Sequence, residues 1–252
     1  MLARICFFLI VGTVSVACGE EPAAKRAVRV VTLGDSITKG VRTGVAADQT
    51  FAALLEVELK RRGFDATVSN VGIGGERTDQ ALVRLEKDVI SKKPGFVTIM
   101  YGTNDSYIDP GRTVSRLTAE EYAKNLRELV RRLRGASIEP ILMTPPKWAV
   151  ESKDGRGKNP NGPLEPFVEE CRRVARELKV PLVDHYGEWS AREAGGEPIA
   201  PITTDGCHPN PEGQAMLCRT ILPVLLEELR EEPEGNSWCG CGVQIRRRKW
   251  CR

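Results

Sequence analysis

Short runs of β-branched and apolar residues alternate along the chain with longer segments in which apolar residues recur every three or four positions. The runs predict strands, and the longer segments predict helices. Such alternation favours an α/β fold with a parallel sheet covered by helices on both faces. The five predicted strands are 28–33, 67–71, 96–100, 140–143 and 181–183, and the last predicted helix covers about 211–229 with a kink near Pro223.

The carboxyl ends of parallel strands joined by right-handed crossovers lie at one edge of the sheet, where open α/β sheets bind their ligands. Polar loops of unusual composition follow four of the predicted strands. They are residues 34–36, 70–75, 102–105 and, after a longer connection, 205–208. We therefore expect these four loops to meet at one edge.

The residues in these loops are those that acyl transfer requires. Ser36 is a candidate nucleophile on a tight turn, and His208 is a candidate base. Asp205 lies three residues before His208, where its carboxylate can hold Nδ1–H and leave Nε2 facing the serine. The chain has only two histidines, His208 and His185, so the choice of a histidine base is narrow.

Three hydrogen-bond donors are available for an oxyanion: the backbone N–H groups of Ser36 and Gly75 and the side-chain amide of Asn104. Each of the four loops taken alone predicts no more than a turn or a helix cap. Their joint occurrence after strands, in this order, favours a catalytic site.

These loops resemble the four sequence blocks of the SGNH hydrolases, also called GDSL-type esterases and lipases. The blocks are "LGDSITKG", "NVGIGGERT", "YGTNDS" and "DGCHPN". The resemblance implies a three-layer α/β/α, flavodoxin-like fold with no metal or other cofactor. It implies Ser36, Asp205 and His208 as catalytic residues, and Ser36, Gly75 and Asn104 as the oxyanion hole, with Gly72 as a second register for the glycine.

Two other kinds of site are less well supported. Cys207 and His208 are adjacent, whereas zinc ligands usually have a wider, chelating spacing. The glycines of residues 72–75 do not follow the dinucleotide-binding spacing, and the chain has no P-loop. The net charge of +3 is too small to indicate a nucleic-acid partner.

Three further residues are candidates for lining the substrate site: His185, at the end of the fifth strand, and Trp148 and Trp189, which could stack on sugar rings. For His185 a purely structural role is the alternative. Because adjacent residues of an extended segment point to opposite sides, His185 is not expected to pair with Asp184.

The N-terminal apolar run resembles a secretory signal, too short to span a bilayer as a helix. We expect a signal peptide at 1–17, a tether at 18–27, the hydrolase domain at 28–230 and a Cys/Arg-rich, disordered tail at 231–252. Cys18 follows the cleavage site as in a bacterial lipoprotein, although Ser15 departs from that pattern, so lipidation and plain secretion both stay open. The pairing of the eight cysteines is also open.

The sequence thus predicts an exported, monomeric serine esterase that removes acetyl or other short acyl groups from carbohydrate. A lipid acylhydrolase of the same family, of the lysophospholipase or thioesterase type, is the first alternative. A carbohydrate-binding cell-surface lipoprotein without activity is the second.

Overall fold

A computed structural model describes residues 25–231, which form a five-stranded, fully parallel sheet with helices on both faces. The strand order is β2-β1-β3-β4-β5. The predicted three-layer α/β/α class is confirmed. The strands are β1 (Ala27–Gly34), β2 (Asp65–Asn70), β3 (Phe96–Met100), β4 (Glu139–Thr144) and β5 (Leu182–Asp184).

Within residues 25–231, seven α-helices connect and follow the strands. They are α1 (Ser36–Lys39), α2 (Phe51–Arg61), α3 (Thr78–Asp88), α4 (Ala119–Gly135), α5 (Asn161–Leu178), α6 (His185–Ala194) and α7 (Pro211–Glu231), and short 3₁₀ turns lie at Ala47–Gln49, Ile90–Lys92 and Ala200–Ile202. The helix α7 continues past Pro223, at which the sequence predicts a kink.

Side chains of successive strand residues point to opposite faces of the sheet, so the strands divide the core in two. Val30 packs with α2 and α7 on one face, and Val31 packs with α3, α4 and α5 on the other. In β4, Met143 and Leu142 divide in the same way. Helices thus cover both faces of the sheet, and the loops that carry the predicted site residues leave the strands at its carboxyl edge.

The strand β1 occupies the position that matters most for this edge. It pairs with β2 on one side, with Thr32 opposite Asn70, and with β3 on the other, with Gly34 opposite Met100. The loops that leave β1, β2 and β3 are therefore neighbours in space, although long helical segments separate them in sequence.

Two helices were not predicted. The short helix α1 begins directly at Ser36, where a turn was expected, and α6 begins at His185, in a segment expected to be extended. At the ends, β1 already begins at Ala27, the last residue assigned to the tether, and α7 ends at Glu231, the first residue assigned to the tail.

The predicted signal peptide, Cys18 and most of the cysteine-rich tail lie outside the described residues. Within residues 25–231, no helix has the length and apolar character needed to cross a membrane.

Candidate active site

Ser36 lies at the point where β1 ends and α1 begins. Between them, Asp35 caps the helix by accepting a hydrogen bond from the Ile37 backbone N–H at 2.9 Å. A side chain at Gly34 would place a Cβ 2.0 Å from Thr38 Oγ1 and 2.6 Å from the Met100 carbonyl oxygen. Glycine is thus required before this turn, which lifts the serine to the edge of the sheet.

His208 lies in a tight loop that is held by hydrogen bonds at both ends. Thr203 and Pro209 form an isolated antiparallel bridge, and the Thr204 N–H donates to the His208 carbonyl at 2.8 Å. Gly206 has φ of 80°, a left-handed conformation that favours glycine. The Asp205 Oδ1 accepts from the backbone N–H groups of Cys207 at 3.1 Å and His208 at 2.8 Å.

The structure brings together the three residues that the sequence assigns to catalysis. Ser36 Oγ is 2.8 Å from His208 Nε2. On the other side of the ring, His208 Nδ1 is 2.8 Å from Asp205 Oδ2. With an ionised Asp205, the proton is on Nδ1, and Nε2 is free to accept from the serine hydroxyl.

The environment favours these protonation states. Partial burial raises the pKa of Asp205, but the hydrogen bonds and charge of His208 outweigh it and hold that pKa at about 2. For His208, burial is the largest effect and lowers the pKa below its ordinary value of 6.5, against the raising influence of Asp205. Near neutral pH the imidazole is therefore uncharged and able to act as a base.

Asn104, on the loop after β3, has both ends of its amide engaged. Its Nδ2 donates to Asp35 Oδ2 at 3.2 Å, and its Oδ1 accepts from Arg116 Nη1 at 3.3 Å. Because Asp35 directly precedes Ser36, the bond between Asn104 and Asp35 holds the amide group close to the serine. Burial raises the pKa of Asp35 to about 7, against the lowering effect of the Ile37 N–H.

The glycines of the loop after β2 have different reasons to be glycine. A Cβ at Gly72 would lie 2.2 Å from the Lys39 backbone nitrogen, so Gly72 serves close packing. A Cβ at Gly74 would lie 3.9 Å from Ser36 Cβ, which places this loop beside the serine. Gly75 has φ of 78° and no atom within 4 Å of a Cβ built on it. The open surroundings favour Gly75 over Gly72 as the oxyanion glycine.

Asp105 ties the loops after β2 and β3 to each other. Its buried carboxylate accepts hydrogen bonds from the Thr78 backbone N–H at 2.9 Å, the Thr78 hydroxyl at 2.6 Å and the Gly102 N–H at 3.1 Å. Thr78 begins α3, three residues after Gly75. The two predicted oxyanion loops are thereby held in a fixed relative position.

Trp148 lies on the loop after β4, which contacts both the His208 loop and the loop after β3. Its ring is half-buried and stacks on Tyr107 with 6.3 Å between ring centroids. The Arg116 guanidinium lies 4.9 Å above the other ring of this pair, that of Tyr107. The next residue, Ala149, donates its N–H to the Gly206 carbonyl at 2.8 Å. The aromatic pair thus lies between the His208 loop and the Asn104 loop.

The prediction that His185 and Trp189 line the substrate site is wrong. Both are fully buried, with 0% exposure, because α6 places them one helical turn apart on the face packed against β4 and α7. Neither the imidazole nitrogens nor the indole N–H has a hydrogen-bond partner among the described residues. His185 makes no hydrogen bond with Asp184, as expected, but for another reason: Asp184 caps α6 by accepting from the Gly187 N–H at 3.1 Å.

The three cysteines of the described region, Cys171, Cys207 and Cys218, are buried thiols without a disulfide. Burial raises the pKa of the Cys207 thiol well above its ordinary range, and its side chain joins the apolar core. Within residues 25–231, no three His, Cys, Asp or Glu side chains are grouped so that they could hold a metal ion.

Sequence reasoning missed several residues of the site. Arg42 Nη2 donates to Asp205 Oδ2 at 2.8 Å, and Arg116 binds Asn104 and forms a two-pronged pair with Asp109 at 2.7 and 3.0 Å. Asp35 and Asp105 have no role in the sequence-based prediction beyond their place in two of the loops. Nothing in the sequence distinguishes Arg42 and Arg116 from the other basic residues, since the chain has 37 Lys and Arg residues. The aspartates could have been singled out as acids inside the quoted blocks.

A parallel α/β sheet with a serine, a histidine and a carboxylate converging at its carboxyl edge is an architecture of ester-hydrolysing enzymes. The chain belongs to the GDSL-like Lipase/Acylhydrolase family, whose model matches residues 32–216.

Individual relatives agree with this assignment. The uncharacterized lipoprotein YqeF of Bacillus subtilis is 31% identical over 221 residues, which cover 76% of this chain and 87% of YqeF. An acetylxylan esterase of Geobacillus stearothermophilus is 28% identical over 209 residues, with coverages of 77% and 92%. The crystal structure of the acetyl xylan esterase AlAXEase superimposes with a TM-score of 0.66 at 24% identity, covering 79% of this chain and all 100% of the other.

Proposed function

We propose that the protein hydrolyses carboxylic esters through an acyl-enzyme on Ser36, with His208 as general base and Asp205 as its orienting carboxylate. The observation that carries this proposal is the continuous hydrogen-bonded line from Ser36 Oγ through the imidazole to Asp205, with 2.8 Å at each step. It supplies a nucleophile, an acceptor for its proton and a fixed tautomer of that acceptor.

The reaction proceeds in two balanced halves. Ser36 Oγ attacks the ester carbonyl carbon as its proton passes to His208 Nε2, and the carbonyl oxygen becomes an oxyanion. When the tetrahedral intermediate collapses, the imidazolium gives this proton to the departing alcohol. His208 then removes a proton from a water molecule, which attacks the carbonyl carbon of the acyl-enzyme. The carboxylic acid leaves as the imidazolium returns this proton to Ser36.

The oxyanion is held by the backbone N–H groups of Ser36 and Gly75 and by the Asn104 amide. The Asn104 Nδ2 carries two hydrogens, one of which is directed to Asp35. The second can be donated to the oxyanion while the first keeps the amide oriented. Removal of a single such donor commonly costs about 3 to 4 kcal/mol of transition-state stabilisation.

The proposed substrate is a carbohydrate that carries acetyl or other short acyl groups. The half-buried Tyr107–Trp148 pair offers an aromatic surface between the two catalytic loops, on which the apolar face of a sugar ring can pack. The Arg116 guanidinium, 4.9 Å from the centre of the Tyr107 ring, adds a polar group beside this surface. The similarity to an acetylxylan esterase supports the same class of substrate.

Two measurements test the proposal. Ser36→Ala should lower kcat for p-nitrophenyl acetate by at least about 10⁴-fold and abolish labelling by a fluorophosphonate. The variant Ser106→Ala serves as a matched control, because Ser106 is a buried serine on the loop after β3 whose hydroxyl, among the described residues, bonds only to the Thr103 carbonyl at 3.4 Å. Full activity of Ser36→Ala would refute the mechanism.

A series of p-nitrophenyl esters from acetate to dodecanoate tests the acyl group separately. We expect the highest kcat/KM with acetate or propionate. A maximum at octanoate or longer would reject the carbohydrate acetylesterase and favour a lipid acylhydrolase of the same family.

We also propose that the enzyme acts outside the cytoplasm, either secreted or attached to the membrane through a lipidated Cys18. The apolar run before Cys18 and the lipoprotein name of the relative YqeF support this placement. Metabolic labelling with an alkyne fatty acid should mark the exported protein and fail for Cys18→Ser. Export of both without label would indicate plain secretion.

A further inference from the structure

Arg42 contacts the oxygen of Asp205 that holds the imidazole. Its Nη2 lies 2.8 Å from Asp205 Oδ2, and that same oxygen is 2.8 Å from His208 Nδ1. The other oxygen, Oδ1, accepts from the two backbone N–H groups of its own loop and lies farther from the imidazole, 3.1 Å from His208 Nδ1. Arg42 is thus the one donor to this carboxylate, within the described chain, that comes from outside the 205–208 loop.

The segment that carries Arg42 is fixed in place. It follows α1 directly and closes on itself through a bridge between Arg42 and Val45, with N···O distances of 3.3 and 2.9 Å. Val45 is buried, with 3% exposure, and anchors the turn. Because Ser36 precedes Arg42 by six residues, one short segment contacts both ends of the line from Ser36 to Asp205.

The charged groups that act on His208 are few. Asp205 faces the ring from its own loop and stabilises the imidazolium, whereas Arg42 faces it from the segment after α1 and opposes it. Ser36 is its neutral neighbour on α1. The side chains of Arg42 and Asp205 are 31% and 41% exposed, so solvent weakens this ion pair without separating it.

We propose that Arg42 is a positioning residue for the base. Its guanidinium holds the Asp205 carboxylate in the orientation that bonds His208 Nδ1, and its positive charge keeps the imidazole neutral in mildly acidic solution. This inference rests on the proposed function, since it assigns Arg42 a role only through Asp205 and His208.

Three substitutions separate the two parts of this role. Arg42→Gln keeps a hydrogen-bond donor without the charge, Arg42→Lys keeps the charge without the planar fork, and Arg42→Ala removes both. We expect the acid limb of kcat/KM to move up by about half a pH unit in the Gln and Ala variants and to stay in place in the Lys variant. We expect kcat to fall about 3- to 30-fold in the Ala variant, with KM little changed.

A direct titration removes the dependence on activity. The chain has only two histidines, and His185 is fully buried, so NMR of the imidazole signals isolates His208. The His208 titration midpoint should rise in Arg42→Gln relative to the native protein. Arg61→Ala is the control, because within residues 25–231 Arg61 pairs only with Glu58 on α2.

The outcomes are distinguishable. If Ser36→Ala is inactive but neither the pH profile, the His208 titration nor kcat changes in the Arg42 variants, the role of Arg42 is refuted while the esterase mechanism stands. If Ser36→Ala keeps full activity, the mechanism itself fails. Should Arg42→Ala not fold, the Gln and Lys variants still decide the question.

Discussion

The carboxylate of Asp35 accepts a hydrogen bond from the Asn104 side-chain amide at 3.2 Å. Asp35 lies between the end of β1 and the proposed nucleophile Ser36, and Asn104 lies on the loop after the adjacent strand β3. The bond therefore joins two different parts of the chain at the point where an oxyanion would form. It orients a donor whose direction decides its contribution to the transition state.

We expect Asp35→Asn to lower kcat about 10- to 100-fold with little change in KM. The new amide can still accept from the Ile37 N–H, but it then turns an NH₂ group towards the Asn104 NH₂, which must rotate away. Steady-state kinetics on a short p-nitrophenyl ester measure the effect. In an Asn104→Ala background the same change should cost much less, and an undiminished cost there would contradict this reason.

Arg116 should assist the same amide from its other end. Arg116→Ala removes the bond to Asn104 Oδ1 and the charge above Tyr107, so we expect kcat to fall about 3- to 10-fold. Arg112→Ala on the same loop is the matched control, because the Arg112 side chain has no hydrogen bond in the described part of the chain. Equal losses in both variants would show that only the loop is affected.

Trp148→Ala should separate sugar esters from simple esters. Loss of the half-buried indole removes the stacking partner of Tyr107, and we expect kcat/KM for an acetylated xylo-oligosaccharide to fall about 5- to 10-fold. Hydrolysis of p-nitrophenyl acetate should change by less than about twofold. A parallel loss on both substrates would argue against a sugar-binding role.

The activity should extend below the ordinary titration range of histidine. Burial lowers the pKa of His208 below 6.5, and the base works only when neutral, so kcat/KM should fall at a pH lower than 6.5. A pH–rate profile between mildly acidic and neutral buffers measures the midpoint. A midpoint above 6.5 would mean that the Asp205 charge outweighs burial.

His185 should make the fold sensitive to acid. Burial lowers its pKa in the folded protein to about 3, while the unfolded chain titrates near 6.5. As the pH drops from 6.5 towards 3, the unfolded state therefore takes up the proton first, and the contribution of His185 to the free energy of unfolding falls by about 1.4 kcal/mol per pH unit.

Urea unfolding across this pH range measures the slope. His185→Leu removes the titrating group and should flatten the slope relative to the native chain, whereas His208→Gln should leave most of it. The same slope in all three proteins would exclude His185 as its source.

The strands and the four loops could be predicted because each carries its signal locally. Residues 96–100 are apolar except for Thr98, and the loop after them contains a glycine with φ of 125°, Gly102. Hydrophobic periodicity and turn chemistry act over a few residues, so a single sequence displays them.

The contacts of Arg42 and Arg116 could not be predicted in this way. Arg42 is 163 positions from Asp205, and no local pattern distinguishes an arginine that will meet a carboxylate across the fold from one in solvent. The helix α6 was missed because it follows β5 without a loop: Asp184 both ends the strand and caps the helix. Once that helix is recognised, its period places Trp189 in the core.

The proposed nucleophile and the donors for the oxyanion all leave three adjacent strands, β2, β1 and β3, whereas His208 comes from a separate loop near the end of the chain. The first group is anchored by the central sheet, whereas the second can detach by a local opening of its loop. Under mild denaturation the enzyme should therefore stop turning over before its tertiary structure is lost. The first change would be the separation of His208 from Ser36, while Ser36 and the donors for the oxyanion keep their positions.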